Sequence, residues 1–424
     1  MTAQTGVPST RRFTLIAFRD WRLRNKLILA FWTLILLFAG IIGTFGIPQI
    51  RDALLATGTR SLVSSVNSTA ISIDQYMTDK VEDIRATSSL PEFATYLANP
   101  NDAAIKQNVL RSLLAMSARS YYESVTIVDG TTQRAVLSSS ESNVGIDLSS
   151  RDYVTEAMKG VAFSSDPVVS VATNRPAIFF SAPIKDTSGK ILGVILSQLN
   201  LNGIWSLVEK DKNAEGEGTY GMLLDQNGIR IANSLSLGRR EEMEGSLLLF
   251  TAIAPIPANV EKTLIDEKRY GQATAANIQV VAMPEVANAL VTPGIKTFEM
   301  TSDVSPERHQ AAIASMSAKP WRYVLMTPVS VFTKTADDVR NLFVLVLILV
   351  GGLGLIAAYF MARGITEPLA QLTRAADRIS LGELDTQIDV NRKDEIGELA
   401  EAIARMQASL QAAIERLRAR RASQ

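Results

Sequence analysis

The chain has 424 residues, which is room for two or three domains. Its 43 basic and 43 acidic residues give a formal net charge of zero, and this excludes the basic excess that marks many nucleic-acid-binding proteins. The absence of cysteine excludes disulfides, a thiolate nucleophile and cysteine-ligated zinc, and the single histidine, His309, excludes a multi-histidine metal site within one chain. We therefore expect no bound cofactor and a surface position for His309.

Two uncharged apolar runs, residues 27–47 and 342–362, predict helices that span the lipid bilayer. At about 1.5 Å rise per residue, each run covers a hydrocarbon core of roughly 30 Å. A cleaved signal peptide is the alternative for the first run. That run is longer than a signal-peptide core, and no convincing small-x-small cleavage site follows it, so we favour an uncleaved anchor.

Basic residues before the first span predict the orientation in a plasma (inner) membrane. Residues 1–26 hold one acid, Asp20, and six basic residues: Arg11, Arg12, Arg19, Arg22, Arg24 and Lys26. Positive charge favours the cytoplasmic side, so we expect both termini in the cytoplasm and residues 48–341 outside. Trp21, Trp32, Tyr359 and Phe360 stand near the span ends, where aromatic rings favour the membrane interface.

The outer region begins with helical spacing of apolar residues and has no proline between Pro48 and Pro91, which predicts one long helix that pairs with its copy in a dimer. Strand–turn–strand patterns then occur at residues 124–137, around Asp129-Gly130, and again at residues 220–232. Each copy ends in predicted antiparallel strands: residues 177–184 and 191–199 in the first, and residues 296–303, 311–317 and 321–328 in the second. This repetition predicts two tandem α/β modules, at about residues 51–205 and 206–335.

Four segments of the first module carry a resemblance to a known family: residues 144–153 (VGIDLSSRDY), 166–167 (DP), 176–184 (PAIFFSAPI) and 189–194 (GKILGV). They resemble the double Cache family of extracytoplasmic sensors. The resemblance covers roughly residues 50–335. It implies an α+β fold of two PAS-like modules on a long helix, with the first module distal to the membrane and holding the ligand.

The same resemblance implies a ligand site. In the family, an arginine and an aromatic residue two positions later line the distal pocket, and here these are Arg151 and Tyr153. Guanidinium binds carboxylate bidentately. Val168, Ser170 and Gln198 stand where amino-acid receptors of the family carry the tyrosine and aspartates that hold an α-amino group, so a carboxylate or another polar metabolite is expected instead. Thr173 and Asn174 lie in the adjacent loop and are further candidates.

Structural alternatives stay open for these residues. Arg151 could instead cap a helix or pair with an acid, and the loop residues 173–175 could simply form a turn. Trp321, at the start of a predicted terminal strand, is expected to pack in the core.

The last part of the chain predicts two amphipathic helices. Residues 365, 369, 372, 376 and 379 form one apolar seam, and residues 396, 399, 403, 406, 410, 413 and 417 form a clean heptad seam. Between them stand a glycine break and a connector in which Ile388 and Val390 alternate. The segment resembles the HAMP relay, assigned to residues 363–414 ahead of a tail at 415–424. The relay candidates are Pro368, Leu369, Leu372, Gly382, Asp394, Glu395, Ile396, Gly397, Leu399 and Met406. The resemblance implies a homodimeric parallel four-helix bundle, and a generic coiled coil is the alternative.

The expected function is that of a transmembrane sensor rather than an enzyme. The sequence holds no motif of an output domain, so we expect signalling through a cytoplasmic partner or through an output domain missing from this chain. An anchored dimeric scaffold that docks another protein is the alternative. An extracytoplasmic enzyme has little support, because no nucleophile–base pair is visible.

Overall fold

A computed structural model describes residues 23–119, 121–235, 249–271, 274, 278–292, 296–302, 305–388 and 392–422. Residues 1–22, which hold Trp21 and four of the six basic residues before the first span, lie outside the described residues, as do Asp303 and Val390. The chain divides into two compact units. One comprises residues 51–334, and the other comprises residues 1–50 together with residues 335–424.

The helices are α1 (Leu23–Ile41), α2 (Ile47–Ser88), α3 (Pro91–Ala98), α4 (Ala103–Ser117), α5 (Asp152–Met158), α6 (Asn202–Glu209), α7 (Ala258–Asp266), α8 (Pro284–Val291), α9 (Val329–Met361), α10 (Glu367–Ser380) and α11 (Glu395–Ala422). The strands are β1 (Tyr122–Asp129), β2 (Ala135–Ser138), β3 (Phe163–Ser164), β4 (Val168–Val169), β5 (Pro176–Lys185), β6 (Ile191–Asn200), β7 (Tyr220–Leu224), β8 (Arg230–Asn233), β9 (Thr297–Thr301), β10 (Arg308–Ser315) and β11 (Arg322–Pro328). The long helix predicted after Pro48 is confirmed as α2.

Two antiparallel sheets confirm the prediction of two α/β modules. The first has the strand order β2-β1-β6-β5-β3, with β4 also pairing with β5, and the second has the order β8-β7-β11-β10-β9. Each sheet therefore places the first and last strands of its module side by side at its centre. The β5–β6 hairpin closes through Asp186, whose Oδ1 accepts hydrogen bonds from the backbone amides of Ser188 (2.8 Å) and Lys190 (3.0 Å).

Several predicted strand bounds are wrong by one to three residues. Strand β2 begins at Ala135 rather than at Gln133, because Gln133 has a left-handed backbone (φ 52°) and its amide closes the turn on the carbonyl of Asp129. Strand β8 runs one residue later than predicted. Strand β10 begins at Arg308 and ends at Ser315, and β11 begins one residue after Trp321.

One core cluster connects α2 to both sheets. Side chains alternate across a strand, so neighbouring residues of β5 face opposite ways: Phe180 packs in the cluster with α2, and Phe179 packs on the other face of the sheet. In the second sheet, Tyr323 joins the cluster with α2 and Val324 faces away from it. Helix α2 thus backs both modules, and the opposite face of the first sheet is left for a separate group of side chains.

Two positions in the second module test expectations from the sequence. Trp321 is fully buried, as predicted, and its Nε1 donates to Asp166 Oδ1 (3.0 Å). The expectation that His309 lies at the surface is wrong: His309 is 1 % exposed on β10, its Nδ1 lies 2.9 Å from the carbonyl oxygen of Glu307, and its ring meets the edge of Tyr220. Strand β10 is paired on both sides, and this packing buries the ring.

The second unit holds the two apolar helical segments. Both helices are long and apolar enough to cross a membrane, with mean hydropathies of 2.3 and 2.7 over their most apolar windows. Residues of α1 and α9 pack together where small residues allow close approach. A Cβ added at Gly354 would collide with the Phe31 ring, and one added at Gly351 would lie 3.3 Å from Trp32.

Candidate functional site

The floor of the candidate site is the face of the first sheet that points away from α2. Alternation along the central strands places Thr126 of β1, Phe179 of β5 and Gln198 of β6 on this face. Gln198 pairs in register with Phe179 on one side and with Ser124 on the other. Polar and aromatic side chains therefore stand together on this face of the sheet.

The loop before α5 and the strand β4 with the loop after it form the walls. They border a pocket whose empty space, counted together with the solvent at its mouth, is about 420 Å³. The lining residues are Thr126, Ala135, Asn143, Ile146, Leu148, Arg151, Tyr153, Val168, Val169, Ser170, Val171, Ala172, Phe179, Leu196 and Gln198. Ten of these are aliphatic or aromatic, Arg151 is the cation, and no carboxylate is present among the described lining residues.

Five of the seven predicted ligand residues line this pocket: Arg151, Tyr153, Val168, Ser170 and Gln198. Thr173 lies beside them and accepts a hydrogen bond from Gln198 Nε2 (3.3 Å). Asn174 does not line the pocket. It takes a left-handed backbone (φ 53°), and its amide bonds to the Ser170 carbonyl (2.8 Å), so its position is that of a turn residue.

Arg151 and Tyr153 flank the start of α5. Arg151 stands at the N-cap position without a side-chain cap, and its Nη1 donates to the backbone carbonyl of Glu267 (3.1 Å) in the second module. Tyr153 is 3 % exposed and stacks on Phe179, with ring centroids 4.4 Å apart, and burial raises the pKa of its phenol. A half-buried guanidinium beside a stacked aromatic pair can hold a carboxylate with an apolar body.

Gln198 is the centre of a buried polar network. Its Oε1 accepts from Ser170 Oγ (3.2 Å), and its Nε2 donates to the carboxylate of Glu123 and to Thr173. Glu123 lies behind Gln198, outside the lining, and burial raises the pKa of its carboxyl group. Because Gln198 and Ser170 carry no charge, this side of the pocket offers no opposite charge to an ammonium group.

Sequence reasoning missed Asn143. Asn143 is buried, with 7 % of its surface exposed, and its Nδ2 donates to Ser124 Oγ (2.8 Å) and Thr126 Oγ1 (3.4 Å). Its Oδ1 is buried with no hydrogen-bond partner among the described residues. The alternation within β1 could have placed Thr126 on the pocket face. Asn143 sits in a short 3₁₀ turn, Glu141–Asn143, and no periodicity in the sequence shows that its side chain turns inward.

The pocket wall also contacts the second module. The Val169 amide donates to the Arg269 carbonyl (2.7 Å), two residues beyond the Glu267 carbonyl that Arg151 contacts. Beneath these contacts, Asp166 pairs with Arg269 Nη1 (3.2 Å) and lies 3.7 Å from Lys319 Nζ, and all three side chains are less than 15 % exposed. Burial lowers the pKa of Lys319, and the carboxylate of Asp166 opposes that effect. Residues 267–269 therefore touch both the pocket and the ion cluster.

The relay candidates lie in the other unit, and the structure gives physical reasons for several of them. Gly382 ends α10 with a positive φ of 96°. Asp394 Oδ1 accepts from the Gly397 amide (3.2 Å) at the start of α11, and the hydrogen bond from Arg392 lowers the pKa of Asp394. A side chain at Gly397 would collide with the backbone carbonyl of Arg392, so only glycine fits there.

The predicted seams are partly exposed in the single chain. On α10, Leu372 and Ile379 are buried, with Ala375 rather than Ala376 between them. On α11, four side chains of the predicted seam are 42–63 % exposed: Leu399, Met406, Leu410 and Leu417. Pro368 lies in the first turn of α10, and Leu369 and Ile396 are half-buried. Glu395 is exposed in the first turn of α11.

A long helix that backs two sheets, with a pocket on the far face of the first sheet, is the architecture of a tandem PAS-like sensor. The Cache domain family model matches residues 49–336, more than half of the sequence, and the chain belongs to this family. The HAMP domain model matches residues 360–412. Both matches confirm the prediction of a Cache sensor followed by a HAMP relay.

Sequence relatives are methyl-accepting chemotaxis proteins. TlpB of Bacillus subtilis is 23 % identical over 399 residues, an alignment that covers 92 % of this chain and 51 % of TlpB. TlpA of the same organism is 32 % identical over 104 residues, covering 24 % of this chain and 16 % of TlpA. The chain therefore spans about half the length of TlpB and a smaller share of TlpA. Among solved structures, the sensor domain of the Vibrio cholerae histidine kinase DctB has the same fold, with a TM-score of 0.51 at 13 % identity over 65 % of this chain and 98 % of that one.

Proposed function

We propose that the protein is a homodimeric transmembrane receptor that binds a small carboxylate or another polar metabolite in the distal pocket. The observation that carries the proposal is the pocket itself, where Arg151 stands beside the stacked rings of Tyr153 and Phe179 on an apolar floor. Its polar groups are few and fixed by neighbours, as in sites that bind one small ligand. Membership in the Cache family and kinship with chemotaxis receptors support the same function.

The membrane arrangement belongs to this proposal. Residues 27–47 and 342–362 cross the plasma membrane, residues 1–26 and 363–424 lie in the cytoplasm, and the sensor at 48–341 lies outside. The apolar windows of both helices support it, because their side chains are almost entirely unburied within the chain and so need a lipid surrounding.

The signal leaves the pocket through its contacts with the second module. Arg151 donates to the Glu267 carbonyl, and a bound carboxylate competes with that carbonyl for the guanidinium. A charged acceptor forms the stronger hydrogen bond, so ligand binding loosens the link to residues 267–269. These residues also hold Asp166 and Val169, so the change reaches both modules and then α9. Helix shifts of about 1–2 Å are typical of such switches.

The relay forms the dimer. The exposed side chains of Leu399, Met406, Leu410 and Leu417 on α11 have the heptad spacing of a coiled-coil seam, and a second copy buries them in a parallel four-helix bundle. A change in the packing of this bundle passes the signal to a cytoplasmic partner or output domain. We infer no catalytic step in this chain.

The test is a thermal-shift screen of the full chain in lipid nanodiscs against small carboxylates, sugars, polyamines and nucleobases. A bound ligand raises the melting temperature by mass action. We expect a carboxylate to raise it in the parent and in Arg134→Ala, an exposed arginine outside the pocket, but not in Arg151→Ala. A shift that survives in Arg151→Ala contradicts the site, and no shift from any compound favours a scaffold that docks another protein.

A further inference from the structure

Asn143 lines the pocket with an acceptor that no residue in the described part of the chain uses. Its Nδ2 is committed to Ser124 and Thr126 on β1, and Thr126 is held in turn by Ser138 Oγ (2.8 Å). This fixes the amide plane and leaves Oδ1, buried and without a partner among the described residues, on a side chain that lines the pocket. A buried carbonyl without a donor costs free energy, so its natural partner is a donor that enters the pocket.

The donor that fits is neutral. No carboxylate lines the pocket in the described part of the chain, and Gln198 stands between the cavity and Glu123. An ammonium group would lose its hydration against Ile146, Leu148 and Leu196 without gaining an opposite charge. A hydroxyl or amide N–H needs only the one acceptor that Asn143 offers.

We propose that Asn143 is a ligand-binding residue whose Oδ1 accepts a hydrogen bond from a neutral donor, so that the pocket selects hydroxylated or amide-bearing carboxylates over their unsubstituted and amino analogues. The inference rests on the proposed function, because Arg151 holds the carboxylate. The two groups lie on different walls: Asn143 stands against β1, and Arg151 stands at the start of α5 beside the second module. The pocket therefore recognises two groups of one ligand, its carboxylate and its neutral hydrogen-bond donor.

The expected selectivity follows from the asymmetry of buried hydrogen bonds. A ligand that lacks the donor leaves Oδ1 unpaired in the closed complex, and sites of this kind discriminate strongly against analogues that lack the matching group. We expect hydroxy acids to bind at least about 10-fold more tightly than the matched unsubstituted acids.

The experiment uses the full chain in lipid nanodiscs and isothermal titration calorimetry. The probes are matched C4–C6 carboxylates that carry hydrogen, hydroxyl, oxo or amino at carbon 2, 3 or 4. We expect one hydroxyl position to give the tightest binding in the parent. In Asn143→Leu, the ratio of the affinity for the hydroxy acid to that for the matched unsubstituted acid falls to about 1. In Arg85→Ala, which changes an exposed arginine of α2 outside the pocket, the advantage is kept.

Different results separate this inference from the proposed function. Equal binding of hydroxy and unsubstituted acids, lost in Arg151→Ala, overturns the role of Asn143 and leaves the receptor site intact. Preference for the oxo acids overturns it as well, because the amide would then present its NH₂ group. Failure of every carboxylate to bind overturns this inference together with the carboxylate as the ligand of the proposed receptor. The absence of a hydroxyl advantage in the parent overturns the role of Asn143 even if Asn143→Leu does not fold.

Discussion

Breaking the buried ion pair between Arg269 and Asp166 should cost far more stability than breaking an exposed pair with the same N···O distance. Arg269 Nη1 lies 3.2 Å from Asp166 with the two side chains 12 % and 14 % exposed. Arg134 Nη2 also lies 3.2 Å from Asp147, but there the side chains are 54 % and 49 % exposed. The two pairs lie within the same compact unit and have the same N···O distance, so the exposed pair is a control for the buried one, which has further partners in Glu267, Lys319 and Trp321.

Arg269→Ala leaves a buried carboxylate that has lost its main partner. Breaking such a pair costs about 3–5 kcal/mol. Asp166 keeps the Trp321 indole (3.0 Å) and Lys319 (3.7 Å), so we place the loss at the lower end, about 3 kcal/mol. Exposed pairs contribute about 0–1 kcal/mol, so Arg134→Ala should cost less than about 1 kcal/mol.

The assay is urea unfolding of residues 51–334, followed by circular dichroism, for the parent and both variants. A loss below about 1 kcal/mol in Arg269→Ala would refute the reasoning, since it would mean that the cluster is solvated. Arg269→Ala should also weaken the link between the pocket wall and the second module. Proteolysis within residues 249–271 should become faster in this variant than in Arg134→Ala.

Three further predictions concern other parts of the chain. Burial raises the pKa of Asp225 from 3.8 to about 6, so the folded protein binds this proton more tightly than the unfolded chain, and stability falls as the pH rises from about 4 to 6. Asp225→Asn should remove this pH dependence and stabilise residues 51–334 at pH 7.5 by up to about 3 kcal/mol, measured by urea unfolding. In a chain without native cysteine, Met406→Cys on the seam should form disulfide-linked dimers in membranes, whereas Ala408→Cys, exposed on the other side of α11, should not. Gly397→Ala should weaken relay packing, seen as slower Met406→Cys cross-linking, because its Cβ meets the Arg392 carbonyl.

Each of these has a contradicting result. A pH slope that persists unchanged in Asp225→Asn would assign it to other carboxyl groups. Equal cross-linking at positions 406 and 408 would indicate random collision rather than a seam. Unchanged cross-linking in Gly397→Ala would show that the start of α11 can move to accept a methyl group.

Local pattern was enough to predict much of the fold. Helical spacing predicted α2, and the strand–turn–strand patterns around Asp129-Gly130 and around residues 225–228 predicted the two modules, because these signals arise from which side chains face the core. The prediction for His309 was wrong because its burial depends on the pairing of β10 with β9 and β11. The residue type alone does not show this pairing.

The site could be predicted only at the positions that were matched to the family motif. Arg151, Tyr153, Val168, Ser170 and Gln198 do come together in one pocket. Asn143 was missed because its inward orientation depends on hydroxyls of β1 that lie 17 to 19 residues away in the chain. The role of residues 267–269 in contacting the pocket wall was also hidden, since it arises from packing between modules.

The most direct test of the receptor account is the rate of Met406→Cys cross-linking in membrane vesicles, with and without the tightest carboxylate from the binding series. The account predicts that saturating ligand changes the rate at least about twofold, and that Arg151→Ala removes this change at the same ligand concentration. A ligand that binds the distal pocket yet leaves the cross-linking rate unchanged would contradict the account, because the sensor and the relay would then be uncoupled.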